Sequence, residues 1–273
     1  MTIPTGSTQK TVVIRDIESL AEMREVERLQ REIWGVEDLD VYPALALKPQ
    51  KELGAILIGA FADDRMVGFV FGFPGVFDGE TIIHSDMLGV TSSYRSYNLG
   101  YLLKRAQRDA ALAQGITRIT WTFDPLRARN AHLNFGKLGV VADRYHVDYY
   151  GETSSFLHRF GTDRLWVTWW LRSERVESRL QTNAAPRRDE SELVSLVHAV
   201  RVGKDLEPLV SDEGVDSPEL VIQIPAELNA HQEAWRAATR AAFTRALDQG
   251  FVVNDFFVST AEEPKTGRYI LSR

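Results

Sequence analysis

His84 and Asp86 are the side chains in this sequence best suited to moving a proton. They stand two residues apart in 81–90, a run rich in Ile and Val that reads as a strand, and that spacing puts both on one face. Imidazole has the ordinary pKa closest to neutrality, and Asp86 can orient it or hold an ammonium. His84-Ser85-Asp86 is no nucleophile triad, because neighbours along a strand face opposite sides and cannot relay a proton. Just downstream lies Tyr94-Arg95-Ser96-Tyr97-Asn98-Leu99-Gly100, a loop that feeds a helix. Such a turn offers unpaired backbone N–H groups and the positive end of the helix dipole, which suits a phosphate or pyrophosphate. Asn98 tolerates left-handed angles, Gly100 allows a ligand to come close, and Arg95 adds a full charge. An ordinary capped helix is the other reading of the same residues.

The elements that must hold this segment follow from periodicity and punctuation. Residues 11–17 are β-branched and strand-like. Ser19 caps a helix over about 20–33, and a second short helix fills 43–53 and stops at Gly54. Residues 55–62, 66–73 and 81–90 form an antiparallel meander, with Asp63-Asp64 as a tight turn. A helix follows over 99–114, then a strand at 116–123, a helix at 126–138 closed by Gly139, and strands at 140–150 and 165–171. This order predicts a mixed sheet with helices on both faces. Residues 1–10 read as a disordered tail and the polar stretch 173–218 as a linker or irregular excursion. Order resumes over 219–273 as a strand, a helix and two strands.

Composition removes several kinds of chemistry. Apolar residues make up 44 % and charged residues 26 % of the 273, which is ordinary for a chain with a buried core. There is no cysteine, so thiol catalysis, cysteine zinc sites and iron–sulfur clusters are excluded. The 32 Lys+Arg against 38 Asp+Glu give a net charge of −6, which argues against nucleic acid or a membrane surface as partner. No spacing of His and carboxylates resembles a metal site. The first ten residues lack the apolar stretch of a signal peptide, and the run 54–61 is too short to span a bilayer. A soluble, cytoplasmic protein is the expectation.

With those residues in view, the chain resembles the GNAT superfamily of N-acetyltransferases. The family's acyl-CoA signature is a strand ending in Val, an aromatic-Arg pair, and Arg or Gln followed by two residues, Gly, one residue, and Gly or Ala. Here Val90 is followed by Tyr94-Arg95-Ser96-Tyr97-Asn98-Leu99-Gly100. A second signature, an Asn early in the next helix and Lys-Leu-Gly at its end, is matched by Asn130 and Lys137-Leu138-Gly139. The resemblance covers roughly 11–172 and is closest to the predicted-acetyltransferase branch, whose members carry a C-terminal extension.

It implies an α/β GNAT fold over 11–172, a mixed and mostly antiparallel central sheet with helices on both faces, plus an α/β extension over 219–273. It also implies acetyl-CoA or another acyl-CoA as co-substrate, no metal, and a small-molecule or peptide amine as acceptor; a homodimer is an allowed assembly. Residue by residue, Arg95 and the amides of Ser96, Tyr97, Asn98, Leu99 and Gly100 would meet the pyrophosphate. Leu88, Gly89 and Val90 would run along the pantetheine arm, and Asn130 would sit near the thioester. His84 and Asp86 would be catalytic. With no cysteine to carry an acyl group, transfer would be direct, within a ternary complex. Trp34, Tyr42 and the loop 150–162 would border the acceptor.

Two departures stand out: Asn98 replaces the first signature glycine, and Phe135 replaces the Tyr that often protonates the leaving thiolate. Tyr145, Tyr149 or solvent would have to act in its place. The rival reading is a non-catalytic acyl-CoA-binding or assembly module on the same fold.

Overall fold

The first helix shows how local sequence sets local structure here. In α1 (Leu20–Trp34), the Ser19 hydroxyl accepts from the Glu22 N–H while the Glu22 carboxylate accepts from the Ser19 N–H, a reciprocal capping box. Arg15 donates to Glu22 at 2.7 Å, and with those backbone bonds holds its carboxyl down at about 2. Gly35, in the left-handed region at φ 63°, ends the helix with its N–H on the Arg31 carbonyl. Met23, Val26, Leu29 and Ile33 are buried along the inner stripe.

The computed structural model describes residues 2–5, 10–151, 153–182, 193–211, 217–228, 230–259 and 264–273. It is a mixed α/β protein divided into two units, 1–121 with 153–159, and 122–152 with 160–273.

In the first unit the strands are β1 (Thr2–Thr5), β2 (Lys10–Asp16), β3 (Ile56–Ala62), β4 (Arg65–Phe77), β5 (Glu80–Val90) and the start of β6 (Arg118–Phe123). They lie side by side in that order, antiparallel throughout except for the parallel pair β5–β6. The stretch read as a disordered tail therefore contains a strand: Thr2–Thr5 pairs with β2 from Val13 to Lys10. Two helices besides α1 belong here, α2 (Ala44–Glu52) and α3 (Leu99–Ala113). The pleat of β4 shows how the sheet divides them. Phe69 and Phe71 join the buried cluster of Met23, Val26, Leu29 and Leu47 from α1 and α2. Gly68 and Gly72 point the other way: a Cβ on Gly68 would touch Leu103 of α3 at 3.5 Å, and one on Gly72 would strike Gln107 at 2.7 Å.

The second unit contains α4 (Ala128–Ala131), which continues as a π-helix over His132–Leu138, then β7 (Val141–His146), β8 (Arg164–Trp170) and α5 (Glu174–Thr182). β9 (Val194–Val202), β10 (Asp205–Val210), β11 (Glu219–Pro225), α6 (Gln232–Asp248), β12 (Val252–Val258) and β13 (Thr266–Ser272) follow. The strand order is β8-β7-β12-β13-β11-β9-β10, so the C-terminal strands extend one sheet through the β7–β12 pairing. Around Tyr269 the rings of Phe135, Phe243 and Phe256 stand with centroids 4.7–5.8 Å away.

The stretch 173–218, expected to be a linker or irregular excursion, carries α5, β9 and β10. Its order was hidden because part of its inner face is charged. Arg179 of α5 is buried and donates to Asp255 of β12 at 2.8 Å, with both side chains under 5 % exposed. The acidic run 212–216 lies outside the described residues, as does the Pro-Arg-Arg of 186–188. Similar pairs tie α6 to the unit: Arg236 to Asp124 and Arg240 to Asp163, each at 2.7 Å.

Removing one partner of a buried ion pair strands the other charge away from water. Asp255→Ala should lower the unfolding free energy by about 3–5 kcal/mol in urea titrations, and a loss below about 1 kcal/mol would show that solvent reaches Arg179.

Candidate functional site

The feature that shapes this region is a bulge in β5. Phe71 pairs with Met87 and Phe73 with His84, so Ser85 and Asp86 together oppose the single residue Gly72. A bulge breaks the alternation that would place His84 and Asp86 on one face. His84 instead packs its ring on Phe73, centroids 5.6 Å apart, on the side where Phe73 meets Phe71 and the α1–α2 cluster. Met87, three residues on, belongs to that same cluster. Ser85 turns to the opposite side and accepts from Lys104 of α3 at 2.8 Å. The bulge thus interrupts the regular alternation behind the i, i+2 reading just after His84.

The bulge also ends the pairing of β5 with β6, which is recorded only at Ile83–Ile119 and His84–Thr120. Beyond His84, the stretch 85–90 is bonded to β4 along one edge, and among the described residues no strand continues along the other. Leu88, Gly89 and Val90 therefore present an open main-chain edge, the kind of surface to which an extended amide-bearing chain can add as a strand. Gly89 is closely packed there: a Cβ would come within 2.9 Å of Ile33 and 3.1 Å of Phe69.

At the end of this edge the chain winds into a 3-10 helix, Ser92–Tyr97, before α3. That winding turns each amide toward the carbonyl three residues earlier, which draws the Ser96 and Tyr97 amides inward. Asn98 sits left-handed at φ 59°, making the turn that the sequence assigned to it. The first backbone bond of α3 runs from Leu102 to Asn98, so Leu99 and Gly100 supply amides at the open, positive end of the helix. Arg95, Ser96, Tyr97 and Asn98 are all exposed, and Arg95 bonds back to the Val90 carbonyl at 3.5 Å. An acyl-CoA fits this set: an edge strand for its amides, then a helix terminus and a cation for its phosphates.

The titratable groups diverge in character. Burial, with Lys104 as a further cause, lowers the His84 pKa to about 4, and its Nδ1 lies 3.0 Å from the Thr120 hydroxyl. Asp86 reaches solvent, yet the atoms crowding the bulge desolvate its carboxyl and raise its pKa. At neutral pH His84 is therefore an uncharged, weak base, and Asp86 is a carboxylate more basic than an exposed one.

Residues 153–159 of the loop expected to border the acceptor make specific contacts in the first unit. The Ser154 N–H donates to Asp40 at 2.8 Å, its hydroxyl bonds the same carboxylate, and it accepts from the Glu37 N–H. The Ser155 hydroxyl donates to the Trp34 carbonyl. The Phe156 ring lies against Gly35, where a Cβ would fall 2.6 Å from it. These partners are more than 110 residues apart in sequence, with no motif to announce them. Trp34 stands edge-on to Phe69 at 5.8 Å and Tyr42 packs on Phe71 at 5.4 Å, so both brace the core and keep one side open.

Asn130 is exposed on α4, in the second unit. Phe135 is fully buried against Phe123 and Tyr269. Tyr145, a candidate acid, donates instead to Asp163 at 2.7 Å, and burial followed by that carboxylate raises its pKa far above a phenol's. Tyr149 is 41 % exposed and packs on Tyr150. Among the described residues no group of three His, Asp or Glu could hold a metal ion, and no helix is long and apolar enough to cross a membrane.

No family model and no curated protein matches this chain. Solved structures are similar to part of it. The ribosomal-protein-S18-alanine N-acetyltransferase of Escherichia coli is 13 % identical at a TM-score of 0.46, over 57 % of this chain and 92 % of its own. Arabidopsis thaliana Naa50, in complex with the bisubstrate analogue CoA-Ac-MVNAL, is 16 % identical at 0.47, over 57 % and 97 %. The acetyltransferase of the GNAT family from Streptococcus pneumoniae is 18 % identical at 0.45, over 57 % and 98 %.

Two measurements check the local physics. Asn98→Ala should cost about 1–2 kcal/mol of stability, because a Cβ without a polar side chain resists left-handed angles, while Asn98→Gly should be neutral. For His84, the unfolded chain takes up a proton near pH 6.5 that the folded chain refuses until about 4. Stability should therefore fall as pH drops from 6.5 to 4, by up to about 3 kcal/mol from this residue. In His84→Asn the difference between unfolding free energies at pH 7 and 4.5 should shrink accordingly.

Proposed function

We propose that this protein is an acyl-CoA-dependent N-acyltransferase of the GNAT type, acetyl-CoA being the favoured donor, that acylates an amine by direct attack in a ternary complex. The observation that carries this reading is the open edge of β5 running straight into the amide-bearing start of α3. The pantetheine amides would bond to Leu88, Gly89 and Val90, and the pyrophosphate would meet Leu99, Gly100 and Arg95, with Ser96, Tyr97 and Asn98 shaping the turn. Asn130 is assigned to the thioester end on the family resemblance.

The acceptor arrives as an ammonium and must lose a proton before it attacks. Asp86, its carboxyl made more basic by desolvation, is the group we assign to hold that ammonium and accept the proton. Neutral His84, held by Thr120 and Phe73, orients the acceptor or a water beside it. The amine nitrogen then bonds to the acyl carbon, the carbon–sulfur bond breaks, and CoA leaves as a thiolate. With Phe135 buried in the core and Tyr145 tied to Asp163, solvent is the proton source for that thiolate, whose thiol pKa near 8.5 makes this step easy. The acceptor is a small-molecule or peptide amine. The alternative, a module that binds acyl-CoA without turnover, draws on the absence of a proton donor at Phe135.

Acetyl-CoA should bind with release of heat, and thiol release should accompany acylation of some member of an amine panel. Asp86→Ala should lower kcat by about 10²-fold or more while leaving acetyl-CoA affinity within a few-fold, and His84→Ala should have the smaller effect. Binding without turnover on any amine would favour the module. No binding at millimolar acetyl-CoA would remove both readings.

A further inference from the structure

Lys104, on α3, is 2 % exposed and pairs with no carboxylate among the described residues, a costly position for an ammonium. What surrounds it is neutral and specific. Its Nζ donates to the Ser85 hydroxyl at 2.8 Å and to Gln107 Oε1 at 3.0 Å, and lies 3.6 Å from the centre of the Trp121 ring. Burial pushes its pKa well below that of a free lysine, and its N–H groups meet two oxygens and a π face. Gln107, turning its oxygen to the lysine, leaves its Nε2 buried without an acceptor. That nitrogen would lie 2.7 Å from a Cβ on Gly72, the residue opposite the bulge, and the His84 carbonyl 2.9 Å from it. Lysine, glutamine and glycine therefore converge on the two-for-one step in β5, on the side of the sheet away from Phe73. A core filler would need none of these polar contacts, since a methionine packs the same volume at no desolvation cost.

We propose that Lys104 is a positioning residue: by gripping Ser85 it fixes the bulge that turns His84 toward Phe73 and releases the 85–90 edge from β6. The role assigned to that edge rests on the acyl-CoA reading above; the lock itself does not. Without the grip, Ser85 has no partner on the α3 side, and β5 can return to regular alternation. That would carry His84 out of its buried place between Phe73 and Thr120 and extend β6 pairing over the strand edge. The lysine touches neither the donor edge nor the acceptor side, so its effect passes through Ser85.

The test reads His84 by NMR titration in the full chain, without acyl-CoA. In the wild type the imidazole should titrate near pH 4. In Ser85→Ala, which keeps the lysine and changes little volume, and in Lys104→Met, it should rise by about one pH unit or more toward 6.5 as the ring loses its burial. Both variants should also weaken acetyl-CoA binding by about ten-fold, with Ser85→Ala still folding cooperatively. An unchanged His84 titration in Ser85→Ala overturns the proposal, whether Lys104→Met shifts it (a charge effect alone), merely melts earlier (a packing effect), or fails to fold. If the wild-type protein binds no acetyl-CoA, the acyl-CoA reading falls while the titration still decides the lock.

Discussion

The stretch from β4 to α3 depends on one irregularity of strand pairing. Opposing Ser85 and Asp86 to Gly72 costs β5 its regular ladder, and three features follow from that single extra residue. His84 and Met87 come to share a face despite odd spacing, Ser85 is turned to α3, and the pairing with β6 ends at His84. A regular strand would have kept its second edge covered, and a covered edge can add nothing. Bulges beside functional segments commonly re-aim a side chain or end a ladder, and this one does both.

The electrostatics follow the same geometry. Two groups two residues apart in sequence are moved in opposite directions, His84 toward a ring neutral at physiological pH and Asp86 toward a more basic carboxylate. Desolvation drives both shifts, because it disfavours whichever form is charged. The sequence offered both groups for proton transfer; burial makes the histidine a poorer base than a free imidazole. The second unit uses burial differently. There Arg179 and Arg236 each meet a carboxylate, so charge is retained inside by pairing rather than by neutralisation.

Much of the frame was legible beforehand. The capping box at Ser19 and Glu22, the meander over β3, β4 and β5, and the stop of α2 before Gly54 are local matters, and local chemistry decides them. Asn98 at φ 59° is likewise a property of one residue type in one turn. The misreadings share a cause. Residues 173–218 looked irregular because Arg179 is buried by virtue of Asp255, 76 residues away. The contacts of Ser154 with Asp40 and of Ser155 with Trp34 join segments with no shared pattern. The helix read over 126–138 is wound as a π-helix from His132, a change of hydrogen-bond partner that side-chain periodicity does not reveal.

Sequence by itself determined which chemistry is available. With no cysteine, a covalent thioester on the protein is excluded, and Tyr94 to Gly100 spelled a turn fit for a polyanion in a chain of net charge −6. Those conclusions rest on residue identity and near neighbours, which folding does not alter. Tertiary structure decided which face each group looks toward, which amides stay open, and which acid or base each side chain becomes. Face, openness and pKa depend on strand register and burial, and both are set by residues far off in the chain: Gly72 across the ladder, Lys104 on the helix behind, Thr120 on the next strand.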